Sequence, residues 1–505
     1  MGCVLADPPR PDEAQEPEGW ADHVAYIRET FINALVGRGF RLVRDNSRGS
    51  CSDAELTDGQ ASVLLEDGFP YSAPLVRTEV AVPMSWHRDS LGFLCLYTSR
   101  DHDNQPWLAV DAFLARIETW FGKNDAGWPD DPPVLDLEAY LHLPVDKRYV
   151  LYSRLDSYTG KYLKLREQDG QIQIKGVGKV SRKSTKGLRT GYVADIGQVA
   201  TPPVSWDDLI ENLNSTHKLR SAIERDRIDV LFVQYQRHDQ RGAVVVTFPP
   251  TTARPRARKQ RATNQTTRVP HLALSASLDE SVMRFRSGVT ASALEDKHVY
   301  IVGAGALGSH ICDGLVRAGI GRLTIRDFQR LTPGNMTRHL VAILGYAGHN
   351  KADALQSLLS NRPYNRSKIE SDWTGLRSPA EAIRVLRSHD LVVDATADGS
   401  VLAMLQDASV LTDSRFVTTC LQNDGRSMRV DIVPPLDGAD AIPPTVLRPS
   451  SAPEVFEAGC GEPVSPTPPH AVAEAAAVTV RHLVGLLTGT PEAPAGEHRD
   501  LGELL

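Results

Sequence analysis

Cysteine is scarce in this sequence. Six occur in 505 residues, at Cys3, Cys51, Cys95, Cys312, Cys420 and Cys460, and no two form a C-x-x-C pair. That spacing excludes a disulfide scaffold and offers no structural zinc motif. Long hydrophobic runs are missing too: no unbroken stretch of about 18 apolar residues occurs, so no membrane-spanning helix is expected. The opening residues MGCVLADPPRPDEAQEPEGW are acidic and Pro-rich and lack the apolar core of a secretory signal. Ala6 stands where a myristoylation start requires Ser or Thr. Neither charge is in large excess: 56 Lys and Arg against 63 Asp and Glu give a net charge of −7, which excludes whole-chain nucleic-acid binding. A cytoplasmic protein with reduced thiols is expected, with no membrane and no nucleic-acid partner.

What is present divides along the chain, whose length predicts about three domains. Residues 1–19 are expected to be disordered. Residues 20–126 open with a helical pattern in which Val24, Ile27, Phe31 and Leu35 share a face. A Pro- and Gly-punctuated stretch follows, then the strand-like run LGFLCLYT and the amphipathic helix LAVDAFLARIETWF. The turn-forming NDAGWPDDPP closes this unit. Residues 134–250 read as a mixed α+β middle domain with strand-like runs and no chemical motif. Its cluster Lys175, Lys179, Arg182, Lys183 and Lys186 reads as a solvated face. Residues 251–280 read as a basic linker, since 251–275 hold six Lys or Arg and no acid. Residues 281–490 alternate strands and helices, which predicts an α/β, mostly parallel sheet covered on both faces. Residues 491–505 read as a flexible tail.

The chemistry begins at Gly303-Ala304-Gly305-Ala306-Leu307-Gly308, which follows the strand HVYIV and opens a helix. Glycines at these places let the backbone approach a phosphate, and a helix N-terminus favours its charge. Asp327 ends the next strand, where an acid is expected on a ribose. So far a nicotinamide oxidoreductase would fit. Downstream come Asn335, Arg338 and Lys351, then Asp394-Ala395-Thr396-Ala397-Asp398. A nicotinamide enzyme has no general need for that series. Directed attack on the α-phosphate of ATP needs cations against the growing charge and a carboxylate for Mg²⁺.

In that order the residues resemble the ThiF/MoeB-like adenylation domain of ubiquitin-activating enzymes. The resemblance implies a Rossmann-like fold with ATP and Mg²⁺ as cofactors. It puts phosphate on Gly303, Gly305 and Gly308, ribose on Asp327, and the triphosphate on Asn335, Arg338 and Lys351. Two positions depart from the family: Gln329 replaces the second acid of D-x-D, and Ala397 stands where the metal-binding Asp is usual. The metal ligand is then Asp398 or Asp394. The family also implies a homodimer, with Arg284 or Arg286 reaching the partner's nucleotide.

Cys460 lies in Glu457-Ala458-Gly459-Cys460-Gly461-Glu462-Pro463, an expected bendable loop ahead of an Ala-rich helix. The family carries an acyl-accepting cysteine in such a segment. Cys312 and Cys420 are expected in the core. Cys95 has a different setting: Phe69-Pro70-Tyr71, then His87-Arg88-Asp89, then Gly92-Phe93-Leu94-Cys95-Leu96, then Trp107 and a helix. This resembles ubiquitin-conjugating enzymes, with Asp89 where that family has Asn. A carboxylate cannot donate the hydrogen bond of an amide unless protonated.

Together the halves resemble bacterial fused conjugating–activating proteins, of the kind found in CBASS antiphage operons. That resemblance implies a partner with a C-terminal glycine, either a cGAS-like nucleotidyltransferase or a ubiquitin-like protein. It implies adenylation, thioester transfer through Cys460 to Cys95, and conjugation to a target lysine. The competing readings are a sulfur-carrier-activating adenylyltransferase without conjugation, a nicotinamide oxidoreductase and a scaffold without catalysis.

Overall fold

The computed structural model describes residues 20–45, 53–78, 82, 84–89, 91–98, 101, 104–128, 135–180, 187–213, 216–225, 227–249, 268–363, 365–450, 453–456 and 464–502. The chain divides into two compact units, 1–278 and 279–505. The expected disordered 1–19, the Cys460 loop and most of the basic stretch lie outside the described residues.

The first unit begins with helix α1, Trp20–Val36, followed by four strands: β1, Arg41–Asp45; β2, Ala54–Thr57; β3, Ala61–Leu65; and β4, Leu75–Thr78. They form an antiparallel meander in sequence order. Helix α2, Val110–Asp125, packs Phe113, Ile117 and Trp120 into a shared core with Phe31, Leu35, Val63 and Phe69. Between β4 and α2 lies the Cys95 segment. The expected strand over LGFLCLYT is absent: only isolated bridges form, at Phe93 and Leu94. The segment is instead held by single hydrogen bonds described below.

The middle domain is built on a closed seven-stranded barrel. Its strands are β5, Val145–Tyr152; β6, Tyr162–Gln168; β7, Gln171–Val177; β8, Leu188–Gln198; β9, Val230–Arg237; β10, Gln240–Thr247; and β11, His271–Ser277. Two helices, α3 (Trp206–Glu211) and α4 (Thr216–Glu224), are inserted between β8 and β9. Strand β11 corrects the expected linker over 251–280. It pairs with β10 on one side and with β5 on the other, so its polar HLALSAS is drawn in by backbone pairing. Closure removes the sheet edges that an open layer would expose.

The second unit opens with α5 (Glu280–Arg286) and α6 (Ala291–Leu294). Then come β12, His298–Val302; α7, Ala306–Ala318; β13, Arg322–Arg326; α8, Lys351–Ser360; β14, Lys368–Asp372; α9, Pro379–Ser388; β15, Leu391–Asp394; α10, Gly399–Thr412; β16, Phe416–Gln422; β17, Ser427–Val433; α11, Pro469–Thr488; and β18, Gly496–Asp500. The sheet order is β14-β13-β12-β15-β16-β17-β18. The first five strands are parallel, and β17 runs antiparallel to both of its neighbours, β16 and β18. Alternation in β12 fills both layers: Val299 and Ile301 join the core under α7 and α11, while Tyr300 and Val302 join the one under α9 and α10. Strand order reverses between β12 and β15, and such a crevice is where open α/β sheets take ligands.

Two sequence expectations need correction here. The tail over 491–505 contains β18, which pairs with β17 through Gly496–Asp500. An edge strand with one neighbour needs backbone partners rather than apolar side chains, so GEHRD carries no hydrophobic signal. Helix α11 is long and apolar enough to cross a membrane, although its apolar residues do not form one unbroken run. Its Ala471, Val472, Ala475, Ala476 and Leu483 are buried in the unit's own core.

Candidate functional site

The glycine loop sits at the end of β12, at the switch point. Gly303 has φ of +96°, and a Cβ there would lie 2.8 Å from the Ala395 backbone. Gly308 is tighter: a Cβ would lie 1.9 Å from the Gly303 carbonyl oxygen. Gly305 is the N-cap of α7 and faces open space. The free N–H groups and dipole of this 13-residue helix therefore point at an uncrowded spot.

Asp327, 8% exposed, is tied to the loop. Its carboxylate accepts from the Ala304 N–H and the Gln329 N–H, each at 2.7 Å. A carboxylate has about four lone-pair directions, so ribose hydroxyls can still be received. Beside it opens a cavity of about 580 Å³, lined in part by Phe328, His349, Asn350 and Trp373. Phe328 and Trp373 are both more than half exposed.

Lys351 begins α8 and is buried. Its Nζ donates to Gln329 Oε1 at 2.7 Å. Asn350 caps the same helix, accepting from Ala352 and Asp353 N–H, while its Nδ2 donates to the Asp327 carbonyl at 2.7 Å. One short segment thus fixes Asp327, Gln329 and Lys351 together.

Asn335 and Arg338 come from the turn after β13. Asn335 is spent on a capping box with Thr332. Arg338 Nη1 donates to the carbonyls of Ser465 (2.8 Å) and Thr467 (3.2 Å), and burial lowers its pKa. Ser465 lies five residues past Cys460, so the chain returning from the expected acyl-accepting loop is pinned by a predicted phosphate contact. Cys460 itself lies outside the described residues.

His339 was not singled out in the sequence. Its Nε2 donates to the Ala304 carbonyl at 2.7 Å, and its Nδ1 accepts from Val341 N–H at 3.0 Å. Burial, then Lys351 and His310, push its pKa down to about 4 against the upward pull of the Ala304 bond. The imidazole is therefore neutral at pH 7, a fixed bracket under the glycine loop. No periodicity or spacing marks it; its only signal is adjacency to Arg338.

The two candidate metal ligands differ. Asp394 is 1% exposed. Its oxygens accept from Thr396 (2.6 Å) and Thr418 (3.3 Å), and burial raises its pKa. Asp398 is exposed at the head of α10, capping it through Oδ1, just after Ala397 at φ of +56°. Among the described residues no group of three metal-ligating side chains occurs. Mg²⁺ on a nucleotide takes only one or two protein carboxylates, and the accessible Asp398 fits that need better than Asp394.

Cys312 is fully buried as expected, its pKa raised by burial. Cys420 departs from the core expectation. It is half-buried and lines a cavity of about 150 Å³ with Ala306, Arg338, Ala397 and Thr467. Burial raises its thiol to about 11. Arg286 is exposed, and the side chain of Arg284 lies outside the described residues.

In the first unit Cys95 is exposed. Its N–H donates to the His87 carbonyl at 2.9 Å, which also receives Trp120 Nε1 at 2.9 Å. The His87 ring stacks on Trp128 at 3.6 Å. Asp89 is committed to the backbone: Oδ1 accepts from Leu91 (2.9 Å) and Phe93 (2.8 Å) N–H. It closes the turn before Cys95, with Gly92 at φ of +91°. Trp107 Nε1 donates to the Pro70 carbonyl at 2.9 Å. Desolvation by surrounding protein, then the Asp89 and Asp136 charges, push the Cys95 thiol up to about 11 despite its exposure.

Residues 279–495 match the ThiF family. The matched span covers the glycine loop and its neighbours but not the Cys95 unit. Among curated relatives, the ATP-dependent ubiquitin transferase-like protein Cap2 of Enterobacter hormaechei subsp. hoffmannii is 33% identical over 135 residues, 26% of this chain and 22% of that protein. The adenylyltransferase and sulfurtransferase MOCS3-1 of Zea mays is 30% identical over 25% of this chain and 26% of its own length. The probable adenylyltransferase/sulfurtransferase MoeZ of Mycobacterium tuberculosis is 29% identical over 25% of this chain and 31% of its own. The chain thus spans less than a third of the length of each. A crystal structure of E. coli MccB with ATP is 15% identical, covering 40% of this chain and 60% of that one, with a TM-score of 0.31.

Proposed function

We propose that the ThiF domain adenylates the C-terminal carboxylate of a protein partner and that the acyl group passes through Cys460 to Cys95 and then to an amine. ATP would lie with its phosphates over Gly303–Gly308, its ribose on Asp327 and its base toward the cavity beside Phe328. Lys351 and Arg338 would balance charge growing on the triphosphate. Asp398 would be the protein's ligand to Mg²⁺, which supplies Lewis-acid neutralisation of the phosphates when bound. A partner carboxylate oxygen attacks the α-phosphorus, the bond to the β-phosphate bridging oxygen breaks, and pyrophosphate leaves. The Cys460 thiolate then attacks the acyl carbon and AMP leaves. Cys95 exchanges with that thioester, and a deprotonated amine displaces Cys95 to leave an amide.

The observation that carries this reading is the joint tether of Asp327, Gln329 and Lys351 to the glycine loop, alongside a separately folded unit presenting an exposed Cys95. The likeness to the ubiquitin transferase-like protein Cap2 favours a protein substrate; its C-terminal glycine and a lysine target are part of the proposal. Assembly as a homodimer and a cytoplasmic location belong to the same proposal. The likeness to MOCS3-1 and MoeZ favours a second reading, activation of a sulfur carrier without conjugation. ATP–pyrophosphate exchange with candidate partners tests adenylation. Mass spectrometry of the acyl adduct on each cysteine separates the two readings, because only conjugation loads Cys95.

A further inference from the structure

The barrel's core holds a residue from the Cys95 segment. Trp86 stands immediately ahead of His87 and is 7% exposed. It packs in the barrel's apolar cluster with Leu231, Val233 and Tyr235. Its Nε1 donates to the Ala200 carbonyl at 3.1 Å. The Arg237 guanidinium lies 4.2 Å above its ring, and the Tyr140 ring meets it edge-on at 5.3 Å. The Tyr140 hydroxyl also donates to the Trp86 carbonyl. One residue further on, the His87 carbonyl receives the Cys95 N–H. From barrel to thiol the path is therefore one buried indole, one peptide and one hydrogen bond.

That path matters because no strand fixes the Cys95 segment among the described residues; isolated bridges, turn bonds and single side-chain bonds from Trp120 and Arg116 of α2 hold the rest of it. Acyl transfer depends on alignment of thioester and amine, and a displacement of about 1 Å can cost on the order of a hundredfold. A segment held at one end by β4 and at the other by the barrel loses the freedom that would spoil this alignment. The indole offers apolar area, a ring face and an N–H donor, and the barrel engages all three.

We propose that the barrel is a positioning domain for Cys95, with Trp86 and Tyr140 as positioning residues that hold the His87–Cys95 pair during acyl transfer. The catalytic half of this statement rests on Cys95 as an acyl carrier; the anchor does not. The test uses the full chain with Tyr140→Phe, Trp86→Phe and Trp86→Ala. Hydrogen exchange at the Cys95 amide should rise about tenfold in Tyr140→Phe and more in Trp86→Ala, with Trp86→Phe close to the unaltered chain and the barrel strands still protected. Discharge of loaded Cys95 to free lysine should fall about tenfold or more in the same order, while the adduct on Cys460 forms normally. Tyr140→Phe keeps the packing and carries the test if Trp86→Ala does not fold. Unchanged exchange at Cys95 in Tyr140→Phe overturns the proposal, as does faster exchange with unchanged discharge. If the unaltered chain never loads Cys95, the conjugation reading fails, and exchange alone decides the anchor.

Discussion

Gln329 receives the Lys351 ammonium at 2.7 Å, a neutral partner where the adenylation family carries an acid. An acid there would hold the cation in an ion pair. The amide accepts from it without cancelling its charge. Lys351→Ala is therefore expected to reduce pyrophosphate exchange by about a hundredfold or more, with a smaller effect on nucleotide affinity. Gln329→Glu should weaken exchange as well, by neutralising the same charge. Equal exchange rates in both variants and the unaltered chain would remove Lys351 from the site.

Asp327→Ala is expected to act twice. It removes the proposed ribose acceptor and releases the Ala304 and Gln329 N–H groups, each held by a charged partner worth about 1.5–3 kcal/mol. Nucleotide affinity and thermal stability should fall together, as read by calorimetric titration and melting. A loss of affinity without a shift in melting would separate the ribose role from the tether.

Gly308→Ala needs only one methyl group to fail. A Cβ 1.9 Å from the Gly303 oxygen cannot be accommodated without moving the loop, so destabilisation of at least about 1–3 kcal/mol and loss of nucleotide binding are expected. Gly305→Ala, with nothing within 4 Å, should fold normally and show its effect only in binding.

His339 sets a pH window. Its folded pKa of about 4 lies below the ordinary 6.5, so the unfolded chain binds the extra proton between those values. The stabilisation is complete above pH 6.5 and is lost as pH falls toward 4, by about 3 kcal/mol in all. His339→Gln can still donate and accept, and should flatten the dependence of the second unit's melting temperature over this range. An unchanged slope would place the acid sensitivity elsewhere.

The Cys95 thiol should alkylate slowly at neutral pH, with a rate rising about tenfold per pH unit toward 11. Desolvation is the main cause, followed by Asp89 and Asp136. Asp136→Asn should shift the alkylation profile to lower pH. Asp89→Asn should do so too, and it retains an oxygen that can accept from Leu91 and Phe93. Absence of any shift in both variants would leave desolvation as the sole cause.

The proposed relay has its own signature. Cys460→Ala should leave pyrophosphate exchange intact and remove the adduct from both cysteines. Cys95→Ala should leave an adduct on Cys460 and abolish transfer to amines.

The loop from Gly303 to Gly308, Asp327 and the alternating strands of the second unit were legible because each obeys a local rule of spacing or period. Lys351 and Arg338 were legible only through their order along the chain. Strand β11 escaped because its pairing partner β5 lies far upstream and its own side chains are half polar. Strand β18 escaped because edge pairing leaves no apolar trace. Asp89 stands where the conjugating family has Asn, and its carboxylate closes a turn through two backbone N–H groups that sequence does not display. Trp86 looked like one aromatic among several; its partners Ala200, Tyr235 and Arg237 are more than a hundred residues away.

The pairing of β5 with β11 also governs how this chain is made. Val145 lies beside Leu272 in parallel register, so the barrel cannot close until roughly 130 further residues have been synthesised. At about 5–20 residues per second a ribosome needs several seconds or more to deliver them. During that interval β5 offers an unpaired edge to the surrounding solution. Contacts between such distant residues also slow the search for the native pairing. Production at reduced temperature, or with a holding chaperone, should therefore raise the soluble yield of the first unit more than that of the second, whose strand pairings lie closer along the chain.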